Sequence, residues 1–332
     1  MKEKLKVYID FESITHNFLR RCYLNSKIGF LPYLYTVGLH RNNDLSQKFV
    51  HKSSLMTFKN FNFKNYYEKL AENLLNDISI ISGEDINREN YLDKIEFYGW
   101  NPGMENTVLN RILNVGCKNI IHDHEFKTSI SLKLVIPNDE SVYFEETAKI
   151  DALNKPDSPF MKHDDPGFRS SFLGYQRFIN FNNINTYDRI ILSNEDLIII
   201  DKELINYNKD DVLKLDFCVR NKQLIKQRAR KLAKYNEEIA KKSKKLYLAE
   251  TNLSNLEYII GLERNEHKRV NDLVSLEEYI AEKHSLYNRA LKYVRAAENN
   301  LMTVDEFLHS EKELIKELEK QIQQIRENKN QI

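Results

Sequence analysis

Acidic side chains recur at three separated places in this 332-residue chain where backbone geometry would expose them. In Val7-Tyr-Ile-Asp10-Phe-Glu12-Ser, Asp10 and Glu12 are two apart, so alternation along a strand sets both on one face. Two adjacent carboxylates repel, and a buried pair requires a cation to offset its charge. In Tyr98-Gly-Trp-Asn101-Pro-Gly-Met-Glu105, a strand and a turn lead to a carboxylate that opens a helix. The helix macrodipole favours an acid there in any case, so this segment taken alone reads as capping. In Tyr207-Asn-Lys-Asp210-Asp211, Tyr207 and Asp211 are four apart and share a helix face. A packed Tyr and a solvated Asp would give the same local pattern. The chemistry that joins such groups is coordination of hard divalent cations such as Mg²⁺ or Mn²⁺, which take oxygen ligands.

The elements that must position these groups follow from hydrophobic period and punctuation. Leu5–Phe11, Phe30–His40 and Lys48–Phe58 read as strands of an antiparallel meander. Tyr66–Ile81 has helical spacing, Lys94–Trp100 reads as a strand, and Glu105–Leu113 as a helix. Residues 140–185 read as loop with short elements, where Phe160, Phe168, Phe172, Tyr175 and Phe178 are either core or base-stacking residues. Beyond residue 215 the chain is almost free of Gly and Pro. Leu224, Leu232, Tyr235, Ile239, Leu246, Ala249, Leu253, Leu256 and Ile260 form a heptad seam interrupted by Arg228 and Lys242. Further series run over Leu273–Leu301 and Leu308–Ile325, with capping-box patterns at Ser275 and Thr303 and a turn between Gly261 and Asp272.

Taken in order, D-x-E on a first strand, an acid just after a strand and turn, and Y-x-x-x-D on a late helix resemble the DEDD 3′–5′ exonuclease superfamily, tyrosine subtype. The segment YNKDDVLKL is similar to the last motif of its bacterial branch. YIDFES followed by PYLYTVGLH resembles the opening of an uncharacterised subfamily of that branch. The resemblance spans residues 5–220 in motif order, with short stretches matching. It departs at the second motif, where most of the superfamily has Asp and this chain has Glu105. The resemblance implies an α/β ribonuclease-H-like fold, a mixed sheet flanked by helices. It also implies two metal ions, Mg²⁺ or Mn²⁺, about 4 Å apart, acting on a phosphodiester. On that pattern Asp10 bridges both ions and Glu12 and Asp211 complete the water-activating site. Glu105 holds the second ion, and Tyr207 orients the attacking water. The implied activity is 3′–5′ exonucleolytic hydrolysis of single-stranded DNA or RNA ends.

Composition bounds the alternatives. The 50 Lys/Arg and 49 Asp/Glu give a net charge of +1, which excludes a wholesale basic or acidic binding protein. Residues 216–332 hold 23 Lys/Arg against 19 Asp/Glu, so a slightly basic helical arm follows an acidic domain at 1–215. The most basic stretch includes Arg220, Lys222, Lys226, Arg228, Arg230 and Lys231; lysines of this kind also occur on a solvated helix face, but the local excess of positive charge favours contact with a phosphate backbone. The heptads suit a homo-oligomer or a protein partner. Cys22, Cys117 and Cys218 lack metal-ligand spacing. His122-Asp-His124-Glu125 has no accompanying zinc pattern and reads as a solvated loop or strand edge. No signal peptide or membrane-spanning run is apparent, so a cytoplasmic location is expected. Two further readings remain: a catalytically inactive nuclease-like scaffold whose arm recruits a partner, and a coiled-coil protein with an accidental motif match.

Overall fold

The computed structural model describes residues 3–22, 24, 29–121, 130–266 and 304–330. The chain divides after Gln227 into two units, beyond the point where the charge balance changes. In the first, β1 (Leu5–Thr15), β2 (Phe30–His40), β3 (Phe49–Leu55), β4 (Ile95–Gly99) and β5 (Cys117–Asn119) form a five-stranded mixed sheet in the order β3-β2-β1-β4-β5. The β1-β2-β3 pairs are antiparallel, as the meander reading expects, and β4 and β5 continue parallel to β1.

Strand alternation sorts the two faces. On one, helix α2 (Phe63–Ser82) packs against β2 and β3, after α1 (His16–Arg21) has followed β1 directly. Tyr35 of β2 points that way and donates from its hydroxyl to Asp77 of α2 at 2.7 Å. Helix α3 (Gly103–Leu113) follows β4 and packs on α2. Val7, Ile9, Phe11, Val37 and Leu39 are buried within the core. The other face holds Asp10 and Glu12, and helix α5 (Asn194–Arg220) crosses it over β1, β2 and β3. The crossing is close at Gly38: a Cβ there would lie 2.2 Å from the Phe49 ring and 3.1 Å from Val212. Farther along, His40 Nε2 meets Asp216 at 2.8 Å. Ser193 caps α5 in a capping box with Asp196.

Residues 140–185 contain more order than the sequence reading allowed. Helix α4 (Pro166–Phe181) has Pro166 in its first turn, and Asp165 accepts from Phe168 N–H at 2.7 Å. Its apolar stripe is broken by Ser170, Ser171 and Gly174, which hid the helical period. These small residues are selected by contact: a Cβ on Gly174 would meet the buried Tyr33 ring at 2.3 Å. Phe160, Phe172, Tyr175 and Phe178 are core residues, so base stacking is not their role.

The second unit begins within α6 (Lys222–Glu266) and includes α7 (Val304–Asn330). Lys242 donates to Gln321 at 2.7 Å, and Glu257 pairs with Lys312 at 2.8 Å. Partners advance along one helix as they retreat along the other, so the two run antiparallel. Leu232, Leu318, Ile322 and Ile325 are buried in this unit. Lys242, an interruption of the heptad seam, thus reaches to the facing helix. The series at Leu273–Leu301, the turn after Gly261 and the cap patterns at Ser275 and Thr303 fall wholly or partly outside the described residues, as does His122–Glu125. Among the described residues no helix is long and apolar enough to cross a membrane.

Candidate metal centre

β1 and α5 bring Asp10, Glu12 and Asp211 together. Each offers one carboxylate oxygen, and the three lie within 4.8 Å of one another. Glu12 is buried, while Asp10 and Asp211 keep partial access to solvent. The pairing register shifts between Glu12 and Ser13, where Tyr33 of β2 is the extra residue, so a bulge in β2 lies opposite the cluster. Glu105 is buried in the first turn of α3, next to this trio but not part of it. The backbone N–H groups of Glu105 itself and of Phe11 favour its ionised form, against the effect of burial. β4 pairs with β1 only as far as Tyr8 and Tyr98, and α3, which follows β4, also packs against β1.

Burial raises every carboxyl of the group, and repulsion within the group adds to it at Asp10 and Glu12. Asp10 is held well above its ordinary value, first by burial and then by the charges of Asp211, Glu105 and Glu12. Glu12 is pushed up to about 8, chiefly by burial, although a hydrogen bond from Ser170 opposes the change. Burial likewise holds Glu105 at about 7 and Asp211 at about 7, with Lys214 opposing at Asp211. Tyr207 is raised by burial and by the charges of Glu12, Asp211 and Asp10. Its hydroxyl makes no hydrogen bond to a described residue, and its ring packs against Tyr143 and Phe144.

Several supports were not legible in the sequence. Asn208, fully buried on α5, donates from Nδ2 to Asp10 Oδ2 at 2.6 Å, while its Oδ1 has no partner. Ser170 of α4 donates to Glu12 Oε2 at 2.6 Å, and Tyr33 donates to the Ser170 carbonyl at 2.9 Å. Asp165, in the acidic His163–Pro166 turn, adds its charge to the field at Glu12. Lys214 ion-pairs with Asp139 and Asp210, each at 2.8 Å, and stands 3.9 Å from Asp211. Asp210 is therefore engaged away from the trio. Neither Asn nor Ser at these positions carries a spacing signal, and a lysine amid acids on a helix ordinarily reads as solvated.

The basic residues divide between the units. Arg220, Lys222 and Lys226 belong to the first, and Arg228, Arg230 and Lys231 to the second. Arg220 is occupied: it donates to Asp216 at 2.8 Å and to the carbonyls of Leu45 and Gln47. Lys222, Arg230 and Lys231 are exposed. No family model, curated protein or solved structure matches the chain.

The trio fits a divalent cation by its chemistry. All three donors are carboxylates, they converge, and an orphaned buried amide oxygen stands beside them.

Proposed function

We propose that this protein is a metal-dependent 3′–5′ exonuclease acting on single-stranded DNA or RNA ends. The convergence of Asp10, Glu12 and Asp211 from two elements some 200 residues apart carries the reading. The strand order is compatible with the ribonuclease-H-like sheet that the motif resemblance implies. Asp10, Glu12 and Asp211 would hold the metal, with Glu105 beside them for a second ion. When bound, such ions supply Lewis acidity toward a phosphodiester and its attacking water.

The chain's own residues prepare that chemistry. Raised carboxyls keep protons in the metal-free site, and a divalent charge favours their release. Asn208 fixes one oxygen of Asp10 and Ser170 one oxygen of Glu12, which leaves the other oxygen of each available to a cation. The elevated pKa of Tyr207 keeps its hydroxyl protonated, available to orient water.

With Mg²⁺ or Mn²⁺, oligonucleotides labelled at the 3′ end should release labelled mononucleotide at once, whereas 5′-labelled ones should shorten progressively. Asp10→Ala and Asp211→Ala should each abolish both. Cleavage by these variants at the wild-type rate would overturn the assigned site. Binding of the oligonucleotide by wild type without cleavage would favour the inactive scaffold instead.

A further inference from the structure

The segment before α4 touches α5 on both sides of Tyr207. One turn before Tyr207, Glu203 accepts from the backbone N–H groups of Thr147 at 2.6 Å and Glu146 at 3.3 Å. Beyond Tyr207, the Tyr143 hydroxyl donates to Asp210 and accepts from Lys214 at 2.5 Å. Ser141 donates to the same Asp210 oxygen at 3.4 Å, and Asp139 pairs with Lys214. Between these two attachments the Tyr143 ring meets the Tyr207 ring edge-on, at 4.8 Å between centroids and 69° between planes. The Phe144 ring lies 5.4 Å from Tyr207 on the same stretch of chain. Phe144 is buried with φ at +65°, a left-handed conformation that an aromatic residue rarely adopts. Such strain persists only where surrounding contacts enforce it.

We propose that Tyr143 is a positioning residue for Tyr207, and that residues 139–147 form a clamp, latched to Glu203 and to Asp210–Lys214, that fixes where the Tyr207 hydroxyl points. The inference rests on the exonuclease reading for its catalytic consequence, but the clamp itself is a property of ring packing. A phenol that orients a nucleophile must be held in one rotamer, because a misplacement of about 1 Å costs on the order of a hundredfold in rate. Tyr207 has no hydrogen bond of its own to a described residue, so its neighbours' rings set its direction. Tyr143 is placed for this by two polar contacts at its far end, on residues one and two turns along the same helix.

Two measurements on full-length protein test the proposal. The first uses 3-fluorotyrosine at position 207 and ¹⁹F NMR, with no substrate present. Wild type should give a line shape of a held ring, and Tyr143→Leu a narrowed, averaged one. An unchanged ¹⁹F spectrum in Tyr143→Leu would overturn the clamp whatever the enzyme does. The second is steady-state cleavage of a 3′-labelled oligonucleotide with Mg²⁺. Tyr143→Leu should lower kcat by about 10–100-fold with KM within about twofold, and add little further loss in a Tyr207→Phe background. Tyr143→Phe, which keeps the ring and drops the latch, should lose less. The rise in melting temperature on adding Mg²⁺ should match wild type in both, because the carboxylates are untouched. Loss through KM, or losses that add fully in the double variant, would overturn the positioning role. A wild type inactive with both metals would overturn the exonuclease reading and this role together, while the ¹⁹F result would still judge the clamp.

Discussion

Asp211→Asn removes one ionisable group from the carboxylate cluster and leaves its shape. Burial holds the Asp211 carboxyl at about 7, against an ordinary 3.8. The folded protein therefore keeps a proton that the unfolded chain gives up. The penalty is absent below about pH 4, grows as pH rises, and is complete above about pH 7. At about 1.4 kcal/mol per pH unit, this single carboxyl sets an upper bound of roughly 4 kcal/mol. Lys214, 3.9 Å away, loses a favourable charge in the variant, and the neighbouring acids share the same protons. The expected net gain at pH 8 without metal is about 1–3 kcal/mol, or roughly 3–8 °C in a domain of this size. Trp100 is the only tryptophan and sits in the first unit, so its fluorescence follows that unit's melting. Melts in EDTA should show wild type losing stability from pH 5 to pH 8 and Asp211→Asn losing less. Mg²⁺ should restore wild type and leave the variant unmoved. An Asp211→Asn protein that melts below wild type at pH 8 in EDTA would refute the argument that ionising this buried carboxyl strains the site.

Asn208→Ala should raise by about 10–100-fold the Mg²⁺ concentration needed for half of the thermal shift, since Asp10 loses the donor that orients it. Lys214→Met should destabilise the protein by about 3–5 kcal/mol in urea titration, because Asp139 and Asp210 are left near one another without a cation. Gly174→Ala should cost about 1–3 kcal/mol in the same titration, although alanine is the better helix former, because the Tyr33 ring occupies the space of the added methyl.

Period and punctuation located β2 at Phe30–His40 and most of α2, where alternation or helical spacing is undisturbed. β1 runs on to Thr15, past the expected Phe11, because pairing with β2 resumes after the bulge. Helix α4 escaped notice since its contact surface is made by Ser170, Ser171 and Gly174 rather than by a stripe of large side chains. The acids at Asp10, Glu12, Glu105 and Asp211 were visible because charge on a strand or within a helix invites a reason. Their supports were not: Asn208, Ser170 and Tyr143 act through orientation, which depends on what a distant segment brings alongside. Lys214 shows the limit most plainly, for its burial is created by Asp139 and Tyr143, some 70 residues earlier.

The passage of α5 over Gly38 also sets a timetable. β1 emerges first from synthesis and can pair with β2 and β3 early, and Asp10 and Glu12 are then neighbours on an open, water-covered face. Helix α4 reaches Glu12 through Ser170, and Asp211 arrives about 200 residues after Asp10, when α5 docks on β1, β2 and β3. The electrostatic conflict between Asp211 and the β1 carboxylates is thus deferred to the docking of α5, a long-range contact of the slow kind. Metal available at that moment would speed completion of the fold, whereas the earlier sheet would form at the same rate with or without it.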